Sequence, residues 1–249
     1  MIAVRNDKTV YKDGGRCIKV FDAQYKKADV LSEALNQARA AEAGLPVPLV
    51  RAVSFEDGKL CIVSDYIKGE TLWEKLQSAS TTQTEALRLL ASLQRTVHEK
   101  TCPAMETLQA KLSHALAAAP FEENIRGQLL SRLSCMPGGT SLLHGEFTPD
   151  NIILTRSGSA YLLDWAHAVQ GAAYADAAST YLWLWYRMGL DAARSYLSLY
   201  QQAGDLDDAV LSMWVPLVAA ARSSYGMQKE RAFMRSVVLS ENHFSKTSF

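Results

Sequence analysis

The chain has 249 residues, 48% of them hydrophobic, with 26 basic and 26 acidic side chains and a formal net charge of zero. That length supports a substantial core in one large domain or two lobes, and a balanced charge gives no reason to expect nucleic acid, an anionic membrane or a polycationic partner. Cys17, Cys61, Cys102 and Cys135 are scattered without a Cys-x-x-Cys pair, so they indicate neither a zinc site nor a redox motif and fit reduced thiols in a cytoplasm.

From Met1 to Lys8 the chain lacks the apolar stretch of a signal peptide, and charged or polar residues interrupt every later apolar run, so neither export nor membrane insertion is expected. Residues up to about 66 look β-rich apart from one helix; Asn6 to Tyr11 contains no glycine, and Gly14-Gly15 falls in the turn before the strand of Lys19. Cys17 to Phe21, Leu49 to Phe55 and Leu60 to Asp65 read as short strands punctuated by Asp-Gly turns. Between the first two, Ala28 to Ala43 carries apolar residues at three- and four-residue steps and stops at Gly44, followed by Pro46: a helix. From Thr71 onward the periodicity is helical, with stripes through Ala86, Leu90, Leu93 and Val97 and through Leu108, Leu112, Ala115 and Leu116. Only residues 141–164 interrupt it with strands. Helices are then predicted over Asp176 to Met188, Asp191 to Ala203 and Leu206 to Tyr225, each with an acidic residue near its start and glycine after its end; Pro216 would kink the third.

The interruption carries the chemistry. Leu142-Leu143-His144-Gly145-Glu146-Phe147-Thr148-Pro149-Asp150-Asn151-Ile152-Ile153-Leu154 holds a polar loop between two apolar runs, and Tyr161-Leu162-Leu163-Asp164 ends a further strand on an acid. A carboxylate, an amide oxygen five residues on and a second carboxylate suit phosphoryl transfer, where catalysis rests on positioning an acceptor hydroxyl and neutralising phosphate charge with metal ions. The pattern resembles the His-x-Asp-(four residues)-Asn loop and later Asp of the aminoglycoside phosphotransferase and choline kinase family. The resemblance covers most of the chain. It implies an α+β, protein-kinase-like, two-lobed fold: a β-rich N-terminal nucleotide-binding lobe over residues 1–66, and a helical C-terminal lobe over 67–249 carrying the catalytic loop and metal site, joined around Ser64 to Gly69.

A lone lysine in a strand is ordinarily a solvated face. Read together with the His144 loop, Lys19 is the phosphate-binding ammonium the resemblance implies, with Glu33 on the first helix as its partner and Glu42 as the alternative. The resemblance places adenine against main-chain groups of the connector at Asp65 and Ile67. It makes Asn151 and Asp164 the ligands of Mg²⁺, a cation that takes oxygen donors and substrate phosphates. Glu146 occupies the slot where the family carries a catalytic Asp, and Ala166 the place of a further acid. Asp150 is a conceivable substitute carboxylate, its side chain expected to point away from that of Asn151. His144 is expected to brace the loop through backbone near Asp164, and Asp176 to cap the next helix. Tyr181, Trp183, Trp185 and Tyr186 fit a core stripe or a cation–π pocket.

These residues imply a cytoplasmic small-molecule kinase using ATP or GTP with Mg²⁺ on a hydroxyl-bearing substrate. Glu146 leaves three outcomes open: a working kinase with a glutamate base, a slow one, or a nucleotide-binding regulatory protein without turnover. Only eleven residues separate Asp164 from Asp176, too few for the activation loop and peptide platform of a protein kinase. Glu122, Glu123, Asp205, Asp207 and Asp208 suit an aminoglycoside pocket or solvated helix starts equally, so the acceptor stays open.

Overall fold

The structure is a computed structural model that describes residues 3–5, 8–201 and 208–244. Asn6, Asp7, Ala203, Gly204, Asp205, Leu206 and Asp207 lie outside them, as does the side chain of Asp208. Two compact units emerge: Met1–Thr82 with His144–Ala168, and Gln83–Leu143 with Val169–Phe249.

The first unit contains an antiparallel sheet of β1 (Ala3–Arg5), β2 (Lys8–Asp13), β3 (Arg16–Phe21), β4 (Val50–Glu56) and β5 (Lys59–Asp65), in the order β1-β2-β3-β5-β4. Lys8 to Asp13 pairs along its whole length with β3. Thr9, Val10 and Tyr11 are β-branched or aromatic, and that preference is realised once β3 supplies a ladder. The register sets Val10 opposite Lys19, Lys19 opposite Ile62 and Cys17 opposite Ser64. Because side chains alternate across a strand, Lys8, Val10, Cys17, Lys19, Ile62 and Ser64 share one face.

Helix α1 (Lys27–Glu42) packs Val30 and Ala34 against Phe21 and Ile62. Its end is built by Gly44 at φ +81°: the Leu45 N–H reaches the Ala40 carbonyl at 3.1 Å and the Gly44 N–H reaches Ala41 at 2.9 Å. Both orphan carbonyls are thereby satisfied. A second sheet joins β6 (Gly69–Thr71), β8 (Ile152–Thr155) and β9 (Ala160–Leu162). Thr71 then starts α2 (Leu72–Gln77) with a capping box, its Oγ1 accepting from the Glu74 N–H at 3.0 Å while Glu74 accepts from the Thr71 N–H at 2.7 Å.

The second unit is helical, with α3 (Gln83–His98), α4 (Leu108–Ala117), α5 (Glu123–Ser134), α6 (Ala173–Met188), α7 (Leu190–Gln201), α8 (Asp208–Arg222) and α9 (Gln228–Phe244), and one short ribbon of β7 (Ser141–Leu143) and β10 (Val169–Gly171). Leu90, Val97, Leu116, Leu133, Leu182 and Trp214 form its core. Pro216 lies inside α8, which ends at Arg222, short of the expected Tyr225. Trp185 meets the ring of Phe233 of α9 edge-on and Tyr186 lies tilted against it, so these two aromatics pack between helices.

Asp176 departs from its expected role as a helix cap. It sits inside the first turn of α6, behind Ala172 at the cap position. Its carboxylate is buried and accepts from Gln94 Nε2 at 3.2 Å and from His98 Nε2 at 3.0 Å. His98 Nδ1 meets the Tyr200 hydroxyl, and the Tyr196 hydroxyl donates to Gln94. Burial, reinforced by Asp176, pushes the Tyr200 phenol up; Tyr196 is raised by burial and by its neighbours Tyr200 and Asp176. Both remain neutral donors that satisfy the buried network.

Candidate active site

Within the first unit a cavity of about 340 Å³ is lined by the shared sheet face (Lys8, Val10, Cys17, Lys19, Ile62, Ser64), the connector Asp65 to Ile67, and Asp150, Asn151 and Asp164. That volume lies in the range of small-molecule and cofactor sites. The connector is tied to the sheet at Asp65 N–H to Leu49 O, 3.1 Å, and Tyr66 N–H to Gly15 O, 2.9 Å. The Asp65 side chain turns outward to a bidentate pair with Arg51, at 2.7 and 2.9 Å, which lowers its carboxyl pKa.

Lys19 lies on β3 and Glu33 on α1, fourteen residues apart in sequence, and their side chains form an ion pair. Lys19 Nζ also stands 3.5 Å from Asp164 Oδ1. Burial alone would push the ammonium down; the carboxylates of Asp164 and Glu33 outweigh it and hold Lys19 above the ordinary lysine range. Glu33 is only 1% exposed, whereas Glu42 is exposed at the end of the same helix.

The His144 loop is held from within. The ring of His144, fully buried between Phe147 and Trp165, donates from Nε2 to the Leu163 carbonyl at 2.8 Å and accepts at Nδ1 from the Glu146 N–H at 3.3 Å. Its expected bracing role is therefore visible as two bonds, one within the loop and one to the backbone beside Asp164. Gly145 has φ +80°, and a Cβ there would lie 2.3 Å from the His167 carbonyl oxygen. No side chain fits.

Asn151 ends a 3-10 turn (Pro149–Asn151), and its Nδ2 donates to the Glu146 carbonyl at 3.0 Å. That bond orients the amide, making Oδ1 the atom available to a cation. The Leu163 N–H bonds the Asn151 carbonyl at 2.8 Å, which joins the two candidate metal-ligand segments. Asp164 itself adopts a left-handed backbone, φ +62° and ψ +70°, a conformation that costs energy in a non-glycine residue and clusters at functional sites. From α1, Asn36 Nδ2 donates to the carbonyls of Trp165 and Ala168, at 3.3 and 3.4 Å, and braces the segment after it. The oxygen donors Asn151 and Asp164 have the chemistry Mg²⁺ accepts.

Sequence reasoning missed Lys8. Its ammonium lies 3.2 Å from Asp164 Oδ2 and 3.8 Å from Glu33 Oε2. Asp150 lines the same cavity as Asn151.

Residues 5–210 match APH, the phosphotransferase enzyme family. The chain belongs to that family. Its fold is the protein-kinase-like one, with a β-rich N-terminal region and a helical C-terminal part. It is similar to the choline kinase LicA from Streptococcus pneumoniae, with TM-score 0.69 and 17% identity over 96% of this chain and 90% of that one. It is also similar to an aminoglycoside-3'-phosphotransferase of type VIII, at TM-score 0.63 and 20% identity over 86% and 88%. A thermostable mutant of the aminoglycoside phosphotransferase APH(4)-Ia, in ternary complex with ADP and hygromycin B, matches at TM-score 0.66 and 13% identity over 94% of each chain. At such identities the likeness shows the fold alone. No curated protein matches it by sequence. Among the described residues, no helix is long and apolar enough to cross a membrane.

Proposed function

We propose that the chain is a small-molecule kinase, transferring the γ-phosphoryl group of ATP or GTP to a hydroxyl of a small substrate. The observation that carries this reading is the cluster of Lys19, Glu33 and Asp164 on the wall of a cavity that Asn151 and the connector also line. Lys19 holds the phosphates and Glu33 orients Lys19. Main-chain groups of Asp65 and Ile67 meet the base. Asn151 and Asp164 hold Mg²⁺, which supplies charge neutralisation on the phosphates when bound. The acceptor oxygen forms its bond to the γ-phosphorus as the β–γ bridging bond breaks, and Glu146 takes the hydroxyl proton. Residues 1–66 serve the nucleotide, and residues 67–249 bring the catalytic loop and metal site. Four free thiols suit work in the cytoplasm.

A second reading has one specific observation in its favour. Glu146 stands where the family carries an aspartate and presents its carboxylate on a longer, looser arm, which favours a nucleotide-binding regulatory protein with impaired catalysis. Melting curves with ATP or GTP, with and without Mg²⁺, test the first step: a Mg²⁺-dependent rise in Tm that Asp164→Ala abolishes is expected. No rise with any nucleotide would sink both readings. Turnover on a panel of alcohols, aminoglycosides included, then separates them, and Glu146→Asp raising a feeble rate would favour the impaired form.

A further inference from the structure

The site holds a second ammonium that the kinase reading leaves without a task. Lys8 Nζ stands 3.2 and 3.4 Å from the two carboxylate oxygens of Asp164, 3.8 Å from Glu33 and 6.0 Å from the centre of the Phe21 ring. Its side chain is 16% exposed. Lys8 and Lys19 are the cationic side chains among the described residues lining the cavity. They reach it from neighbouring strands, because Lys8 is two residues from Val10 and Val10 faces Lys19 across the ladder. Together they balance the charges of Glu33 and Asp164.

A polyphosphate is commonly cradled by backbone N–H groups, and that requires glycine where the chain must approach closely. From Met1 to Asp13 this chain has none. The charge of the phosphates then falls to side chains. A cation bound at Asp164 would also repel the ammoniums that now cover its oxygens. Lys19 keeps Glu33 as its partner, whereas the shortest carboxylate contact of Lys8 is to Asp164 itself.

Building on the kinase reading, we infer that Lys8 is a second phosphate-binding residue, which pairs with the carboxylate of Asp164 and exchanges it for the phosphates when a nucleotide binds. Calorimetric titration of the full chain with Mg²⁺ and ATP, ADP or adenosine tests it, in the wild type, Lys8→Met and Lys8→Arg. Lys8→Met should weaken ATP about tenfold or more, the scale of one charge-assisted hydrogen bond, and leave adenosine unchanged. Lys8→Arg should stay close to wild type. Equal ATP affinity in wild type and Lys8→Met, or equal weakening of ATP and adenosine, would overturn the assignment while the kinase reading stood. A wild type that bound no nucleotide would overturn both. Should Lys8→Met not fold, Lys8→Gln, whose amide still donates to Asp164, carries the same comparison.

Discussion

Replacing Glu33 with glutamine keeps the size and hydrogen-bonding reach of the side chain but removes the charge facing Lys19. Glu33 is 1% exposed, so water cannot take its place. In the wild type two ammoniums face two carboxylates; the variant leaves Lys8 and Lys19 sharing Asp164 alone, with a surplus positive charge in a buried place. Removing one partner of a buried ion pair costs about 3–5 kcal/mol. Lys19 retains Asp164 at 3.5 Å and a side chain 19% exposed, so the lower end applies, about 3 kcal/mol. For a chain of this length each kcal/mol shifts Tm by about 2–4 °C, giving a fall of roughly 6–12 °C in the ligand-free protein by differential scanning calorimetry. Glu42→Gln, at an exposed position of the same helix, is the control and should stay within about 0.5 kcal/mol of wild type. If the two variants melted together, the premise that Glu33 balances buried lysine charge would be wrong.

Gly145→Ala should destabilise by at least about 2 kcal/mol, combining the cost of a left-handed alanine with a Cβ placed 2.3 Å from the His167 oxygen. Urea titration reads the first effect. Loss of the Mg²⁺-dependent nucleotide shift reads the displacement of the His144 loop, and a variant as stable as wild type would show that the loop has slack. The raised pKa of Lys19 fixes the sign of a pH effect. A lysine whose folded pKa exceeds its unfolded value contributes fully below the unfolded value and loses that contribution as pH rises through the folded one. The stability difference between wild type and Lys19→Met should hold steady from about pH 6 to about pH 10 and shrink above it, as measured by denaturant titration across that range.

What could be read from the sequence was what is locally encoded. His144, Asn151 and Asp164 sit in a short stretch whose apolar flanks announce strands, and Gly44 announces the end of α1. Lys8 was hidden because its meaning depends on the register between β2 and β3, which sets it diagonal to Lys19; Gly14-Gly15 marks the turn between the strands without disclosing which residues pair across it. Asp176 misled for the opposite reason. An acid near a helix start has the local pattern of a cap, yet its observed partners, Gln94 and His98, lie 82 and 78 residues away.

Glu33 and Asn36 are three residues apart on α1, nearly one turn, so they rise from the same side of one stiff rod. One grips the lysine of β3 and the other the carbonyls just beyond Asp164. The helix therefore acts as a gauge block: it spaces two groups that the proposed kinase would bring to one nucleotide, and any tilt misplaces both together. A molecule that engages either end steadies the rod for the other, so the ordering cost is met once for two contacts.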